Sequence, residues 1–348
     1  MSVLALFGFD EQRLGDLDYD KAELLLFDTL KNESTCELRY PATLSEATGI
    51  REGHSFAFMD RSGAYRLYDI VRVETVFGGS RALKVAYGEA RYYEMGSDNL
   101  RPRDPGVAGY TFASSTLAAT VMDDILTETR WTRGETVTTL RTFVFNDIDK
   151  PLNPLEALYK MAQIWGAELR FNVDITATGT LALTVDLVEQ VGSFTGFRIE
   201  TGYNLQSAKV EDDIEGLVTA LYGFGFDASG SPLPVQFKED TASRDIYGKS
   251  DGSGGRRHRY GVHYSEAQTA TELESATELI LNRRKLPRNN IQVTGADIDN
   301  LITLGDTGHI IISPDLKYEA RIIEHRQNLK DKSQDVLTFG EFLPLGTD

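Results

Sequence analysis

The chain reads as an α+β protein, mainly β, in which two similar β-barrel modules flank α/β intervening domains. Three observations predict this. Short alternating runs bounded by Gly, Asp, Asn and Ser turns fill both ends of the 348-residue sequence. Helical spacing is confined to a few interior stretches. The two ends also resemble one another. Near the start, Gly53-His54-Ser55-Phe56-Ala57-Phe58 leads through Tyr65-Arg66-Leu67-Tyr68-Asp69-Ile70-Val71 to Leu83–Glu89. Near the finish, Gly308-His309-Ile310-Ile311-Ile312-Ser313 leads through Tyr318-Glu319-Ala320-Arg321-Ile322-Ile323 to Val336–Glu341. Tyr65 to Gly88 spans 23 positions and Tyr318 to Gly340 spans 22. Two like barrels in one chain present like edges twice, a geometry suited to a ring.

Element by element, Asp20–Leu30 fits helix or strand equally. Ser34–Tyr40 alternates as a strand, and Ser55–Phe58, Tyr65–Thr75 and Ala82–Met95 form half-buried strands around the turns Asp60–Gly63 and Phe77–Ser80. Pro102 and Pro105 mark a first boundary. Ser114 caps a predicted helix carrying Leu117, Ala118, Val121, Ile125 and Leu126, and strands follow over 136–146. Asn153 caps a second helix with Pro154 in its first turn and Gly166 at its end. Glu168–Val173 and Thr180–Val185 alternate as a hairpin. Strands over 205–210 and 216–225 are split by a charged Glu211-Asp212-Asp213 turn. Residues 227–259, rich in Gly, Ser and charge, are expected to be an exposed loop. A third helix over 265–284 places Leu273, Ala276, Leu279 and Ile280 on one stripe, ends on Arg283-Arg284-Lys285, and is stopped by Pro287. The domain expectation is a first barrel over 1–100, with the strands of 197–225 as candidates to complete it, an α+β domain over 101–196, a loop-and-helix insertion over 226–287, and a second barrel over 288–348.

Composition narrows function. Hydrophobic residues at 41% suffice for several cores. With 53 acidic against 36 basic residues the formal charge is −17, which argues against a nucleic-acid grip and otherwise means solubility. The single cysteine, Cys36, excludes an internal disulfide and fits assembly in a reducing cytoplasm. The first residues lack a basic region ahead of their apolar run, so no secretory signal is expected. No apolar run reaches the roughly 20 residues of a membrane span.

The sequence carries no constellation that reads as a catalytic, cofactor-binding or metal site. His54, His258, His263, His309 and His325 match no metal-ligand spacing. His54 and His309 read as matching strand starts in separate modules. Cys36 has no basic neighbour to activate it. The acidic pairs Asp123-Asp124, Asp147/Asp149 and Asp212-Asp213 are expected by chance among so many carboxylates. Gly223-Phe224-Gly225 follows a strand but precedes no helix, so it lacks the phosphate-binding context. Arg256-Arg257-His258-Arg259 has only Tyr260 beside it and reads as a solvated loop.

Several short stretches, taken in order, resemble the prophage endopeptidase tail family, which includes phage tail hubs and the N-terminal regions of tail-associated lysins. They are Cys36–Pro41, Tyr65–Ile70, Val85–Tyr93, Trp165–Phe171, Tyr203-Asn204-Leu205 with Leu217–Gly225, and Leu304-Gly305-Asp306. The resemblance implies a structural baseplate hub in the virion, assembled in the host cytoplasm: a homotrimeric plug at the distal end of the tail tube that opens for DNA. It implies the distal tail protein, tail tube and tape-measure protein as partners, with receptor-binding or fibre proteins further out, no cofactor, and genomic DNA passing without specific binding. Family members often append a hydrolase, and the sequence closes at Asp348 just after the second module, so enzymatic activity is not expected. The alternatives are a tail-associated cell-wall endopeptidase and a carbohydrate-binding baseplate module, the latter through aromatics such as Trp131 or Tyr260.

Overall fold

Alternating side chains become sheet along most of the molecule. The computed structural model describes residues 4–78, 81–97, 110–127, 129–145, 153–175, 181–227, 229–265, 269–294, 302–314 and 316–344. The first part contains β1 (Leu4–Phe7), β2 (Arg13–Leu17), β3 (Glu23–Thr29), β4 (Ser34–Pro41), β5 (Ser55–Met59), β6 (Tyr65–Gly78) and β7 (Arg81–Ala90). The stretch 20–30 is therefore a strand. Every second residue of β3 is buried, which accounts for its leucine run. The strands pair antiparallel in the order β3-β4-β7-β6-β5-β1-β2.

An α+β middle follows: β8 (Tyr110–Leu117), α1 (Ala118–Leu126), β9 (Thr132–Thr136), β10 (Leu140–Phe145), α2 (Pro154–Trp165), β11 (Glu168–Ile175) and β12 (Leu181–Val188). α2 forms as its sequence demands. Asn153 Oδ1 accepts from the Glu156 amide, and Gly166 closes the helix at φ 65°, a left-handed position that favours glycine. Ser114, by contrast, lies inside a strand. Residues 110–117 pair with β10 as a strand and the helix starts four residues later at Ala118. The backbone ladder overrides an apolar spacing that helix and strand share over so short a run. The β11–β12 hairpin is present, its turn lying outside the described residues, as do Pro102 and Pro105.

β13 (Phe194–Glu200) and β14 (Ser207–Asp213) come next. Glu211-Asp212-Asp213 is no turn: it continues β14 opposite Asn290, Asn289 and Arg288. β15 (Ala220–Phe224) lies within the strand expected over 216–225. The segment 227–259, expected as a loop, holds β16 (Gln236–Glu239), α3 (Thr241–Tyr247), β17 (Lys249–Ser250) and β18 (Arg256–Arg257), with β19 (Tyr260–Tyr264) and α4 (Ala270–Arg284) following it. Its polarity is that of a small subdomain with one thin core of Val218, Leu221 and Leu281. α4 buries Leu273, Thr277 and Leu281 and leaves Leu279 46% exposed, so the buried stripe is rotated from the predicted one. Gly223 sets that rotation, because a Cβ there would lie 1.9 Å from Thr277 Oγ1. The chain finishes with β20 (Arg288–Thr294), β21 (Thr307–Ser313), β22 (Leu316–Asn328) and β23 (Val336–Pro344).

The last part repeats the first in topology. β14-β20-β23-β22-β21 pair in the order of β3-β4-β7-β6-β5, all antiparallel. Registers agree as well. Cys36 and Ile70 flank Gly88 as Ile291 and Ile322 flank Phe339, and Phe56 faces Tyr68 as Gly308 faces Ala320. Both long strands bulge at the same place, between Ile70 and Arg72 and between Ile322 and Glu324. Phe339, not Gly340, is thus the counterpart of Gly88, one residue from the sequence alignment. The shift follows from how bulk is shared. In the first copy Phe56 and Tyr68 fill the space over Gly88, and in the second Phe339 and Phe197 fill it over Ala320 and Gly308. Neither copy closes into a barrel among the described pairings.

β22 joins the copies by pairing Glu324–Asn328 with Thr29–Leu25 of β3. The result is one antiparallel run of eight strands, β14-β20-β23-β22-β3-β4-β7-β6.

Candidate functional site at the junction of the two sheets

The β3–β22 seam carries a buried polar cluster. Asp28 and His325 stand opposite one another in the register and are 4% and 8% exposed. Arg61, from the β5–β6 turn, reaches across to the Asp335 carboxylate and the Asn328 carbonyl. Arg66 pairs with Asp60 at 2.7 Å and approaches Asp28 at 3.7 Å. Asn328 Nδ2 donates to Gln334 and to Glu23 at 3.0 and 3.3 Å, and the Asn328 amide donates to Asp335. Asp28, Asp60, Arg61, Arg66, His325 and Asp335 line a cavity with Thr303, Gln327 and Lys332. Burial pushes the Asp60 carboxyl up, but Arg66 and the donors of its own turn outweigh it and hold the group below its usual range. Burial first, then Arg61 and Arg66, push the His325 imidazole down to about 3. It is a neutral acceptor at physiological pH, its Nδ1 taking a bond from Gln327 Nε2. The arrangement fastens the two copies together and offers no activated nucleophile.

The residues singled out in the sequence are scattered. His54 bonds the Gly49 carbonyl and meets Phe9 edge-on, and His309 meets Phe194 in the same manner, each within its own copy. Cys36 is buried among apolar neighbours, and burial raises its thiol well above the usual range. His258, in the connection between β18 and β19, is not solvated but buried against Thr219 with Nε2 3.3 Å from Glu239. His263 sits in β19. Asp123 pairs with Arg133. Asp147 and Asp149 lie outside the described residues. Arg256 and Arg259 bond the carbonyls of Gly248 and Tyr247, so this basic run is engaged in structure. Trp131 is buried with its indole on Glu94. Among the described residues no group of three metal-ligating side chains forms, and no helix is long and apolar enough to cross a membrane.

Sequence reasoning picked Tyr260 but missed the surface it belongs to. β15, between β16 and β19, turns Tyr222 outward with Phe237, Tyr260, Val262 and Tyr264, while α4 covers the other side. Tyr260 and Tyr264 are 60% and 76% exposed, and Tyr222 stacks 6.2 Å from Tyr260 and lies 4.9 Å from Phe237. The period-two pattern Tyr260-Gly-Val262-His-Tyr264 was the available signal.

Comparison with known proteins meets this architecture from its second half. Residues 194–345 match the prophage endopeptidase tail family. The matched segment runs from β13 through β23, the whole second copy with its insertion. No curated protein sequence matches the chain. Among solved structures it is similar to the prophage tail protein gp18 of Listeria monocytogenes EGD-e, at 14% identity and a TM-score of 0.64, covering 97% of this chain and 94% of that one. The 43 kDa tail protein of prophage MuSo2 from Shewanella oneidensis gives 13% identity, a TM-score of 0.64 and 98% coverage of both chains. The E. coli c3393 protein, a type VI secretion component described as similar to the T4 tail proteins gp27 and gp5, gives 9% identity and a TM-score of 0.50 over 93% of this chain and 73% of that one. The chain therefore has the fold of prophage tail proteins.

The tail-family stretches noted in the sequence have mechanical reasons. Asn204 Oδ1 accepts from the Glu200 amide and its Nδ2 donates to the Arg198 carbonyl, pinning the turn after β13. Thr219 is fully buried and its hydroxyl accepts from the Arg259 amide. In Leu304-Gly305-Asp306, Gly305 adopts φ 90° and packs its backbone against Gly192, while Asp306 accepts from the Ser193 and Thr303 amides. Arg321 locks this corner. It bonds the Gly305 and Val191 carbonyls and makes a bidentate pair with Glu168 at 2.7 and 2.6 Å, tying the second copy to β11.

Proposed function

We propose that this chain is a structural subunit of a phage baseplate: the hub at the distal end of the tail tube, working as a trimeric plug that opens for DNA. The observation that carries the reading is the doubled strand run. One polypeptide holds two copies of the same sheet joined edge to edge, which a ring of alternating like units requires and an enzyme does not. The tube-wall units in this reading are the first sheet, to about residue 100, and the last, from 288, which takes β13 and β14 from upstream. The tail fold shared with prophage proteins supports it. The excess of 53 acidic over 36 basic residues favours DNA passing unbound. The partners proposed are the tail tube, distal tail and tape-measure proteins, with fibre or receptor-binding proteins beyond, in a virion tail tip assembled in the host cytoplasm. Particle imaging of the chain with its tail-tube protein is the test: a three-fold ring is expected, and a chain that stays monomeric beside that protein overturns the reading.

The proposal includes no catalysis by this chain. Incubation with purified peptidoglycan should release no soluble fragments, and turnover would instead assign the endopeptidase role. The exposed face of Tyr222, Tyr260 and Tyr264 favours a second reading, a carbohydrate-binding baseplate module, since rings with polar tips stack on sugars. Binding to cell walls that is lost in Tyr260→Ala would support it.

A further inference from the structure

The eight-strand run has two open ends, and the molecule contains a template for what covers them. Along Arg72–Gly78, β6 pairs only with β7 among the described residues. Val76 and Phe77 there are 48% and 81% exposed. At the other end β14 pairs only with β20 among the described residues, and Ser207–Val210 are all exposed. Long edges with apolar side chains are aggregation sites unless another strand uses them. The internal repeat identifies that strand. β6 corresponds to β22 and β14 to β3, and in this chain the post-bulge segment of β22 is covered by β3.

We propose that β6 of one copy pairs antiparallel with β14 of a second copy of this chain, reproducing between molecules the β22–β3 seam found within one. Carrying over the registers sets Thr75 opposite Val210, Val76 opposite Lys209, Phe77 opposite Ala208 and Gly78 opposite Ser207. The contact is head-to-tail, so it propagates, and it closes when the rotation per copy completes a circle. The proposal deepens the ring reading and rests on it, supplying the strands and register that hold the ring.

Engineered cysteines test it in the full chain, assembled with the tail-tube protein. Adjacent antiparallel pairs alternate between wide and narrow spacing, so two neighbouring pairs are made: Thr75→Cys with Val210→Cys, and Val76→Cys with Lys209→Cys. The native Cys36 is 2% exposed and should stay silent. At least one pair should give covalent dimers and larger closed species on oxidation, while the diagonal pair Thr75→Cys with Ala208→Cys, about 7–8 Å apart, should not. A ring that forms without register-matched crosslinks overturns this interface and leaves the ring reading standing. Absence of any ring overturns both. Charge gives a second measurement that leaves the fold alone. Val76→Lys should weaken association roughly two- to fivefold and Val76→Glu should strengthen it by a similar factor, through Lys209. Bulk repulsion between copies of charge −17 predicts the opposite order, and that order would sink the register.

Discussion

Arg321 and His325 lie four residues apart on β22 and do opposite electrostatic work. Arg321 is 4% exposed and spends its guanidinium on Glu168 and two backbone carbonyls. Removing one member of a buried pair strands the other. Because Glu168 keeps 30% exposure and can rehydrate, Arg321→Ala should cost about 2–3 kcal/mol rather than the upper end seen for fully buried pairs, measured by urea unfolding. Arg321→Lys should recover little of it, since an ammonium cannot make the bidentate contact. His325 is held neutral. Its folded pKa, about 3, lies below the ordinary value of 6.5, so the unfolded chain binds the extra proton between those limits. Stability from this group is therefore full above pH about 6.5 and falls progressively toward pH about 3. Asp335 works the other way, its carboxyl raised chiefly by burial. The measurement that isolates the imidazole is the difference in melting temperature between pH about 7.5 and about 4.5, which should be smaller in His325→Gln than in the parent chain. None of this was legible in the sequence, where Asp28 and His325 are separated by nearly the whole chain and no local pattern links them.

Elements whose signals are local were readable. α2 carries its cap, its proline and its terminal glycine within fourteen residues, and it forms as written. The β11–β12 hairpin needed only alternation. The misreadings share one physical cause, that a partner decides. Residues 110–117 have spacing open to two periods until β10 pairs with them. Glu211-Asp212-Asp213 looks like a turn because charge is how edge strands are protected, and β14 is an edge. The α4 stripe was misplaced because Gly223 draws Thr277 inward. That contact predicts a coupling. Gly223→Ala should destabilise the subdomain by roughly 1–3 kcal/mol through overpacking, and Thr277→Ala in the same chain should return a large part of the loss. A double-mutant cycle in urea checks it, and purely additive costs would deny the contact.

For the whole molecule, the doubled sheet was legible as two similar spacings, but the registration, the shared bulge and the edge-to-edge junction were not, since pairing partners leave no mark in a single sequence. The insertion follows the same logic. Asp213 and Arg288 are register partners, so residues 214–287 leave and re-enter the sheet at one point. Replacing them with an Asn-Gly turn should close a β14–β20 hairpin and leave the eight-strand run intact. The shortened chain should unfold cooperatively within a few degrees of the parent, read by circular dichroism. Loss of the fold would mean that the subdomain is needed to build the sheet.

The seam also orders events in time. Glu23 and Asn328 meet across 305 residues. At ribosomal rates of about 5–20 residues per second, β3 waits roughly 15–60 s after synthesis before its partner exists. During that interval the nascent chain displays an uncovered strand rich in leucine. Asp28, turned inward on that strand, makes an early wrong partner costly to bury, while the right one sets a neutral imidazole opposite it, with Arg66 of β6 already near. A carboxylate buried in the finished seam thus also guards the subunit while it is being made.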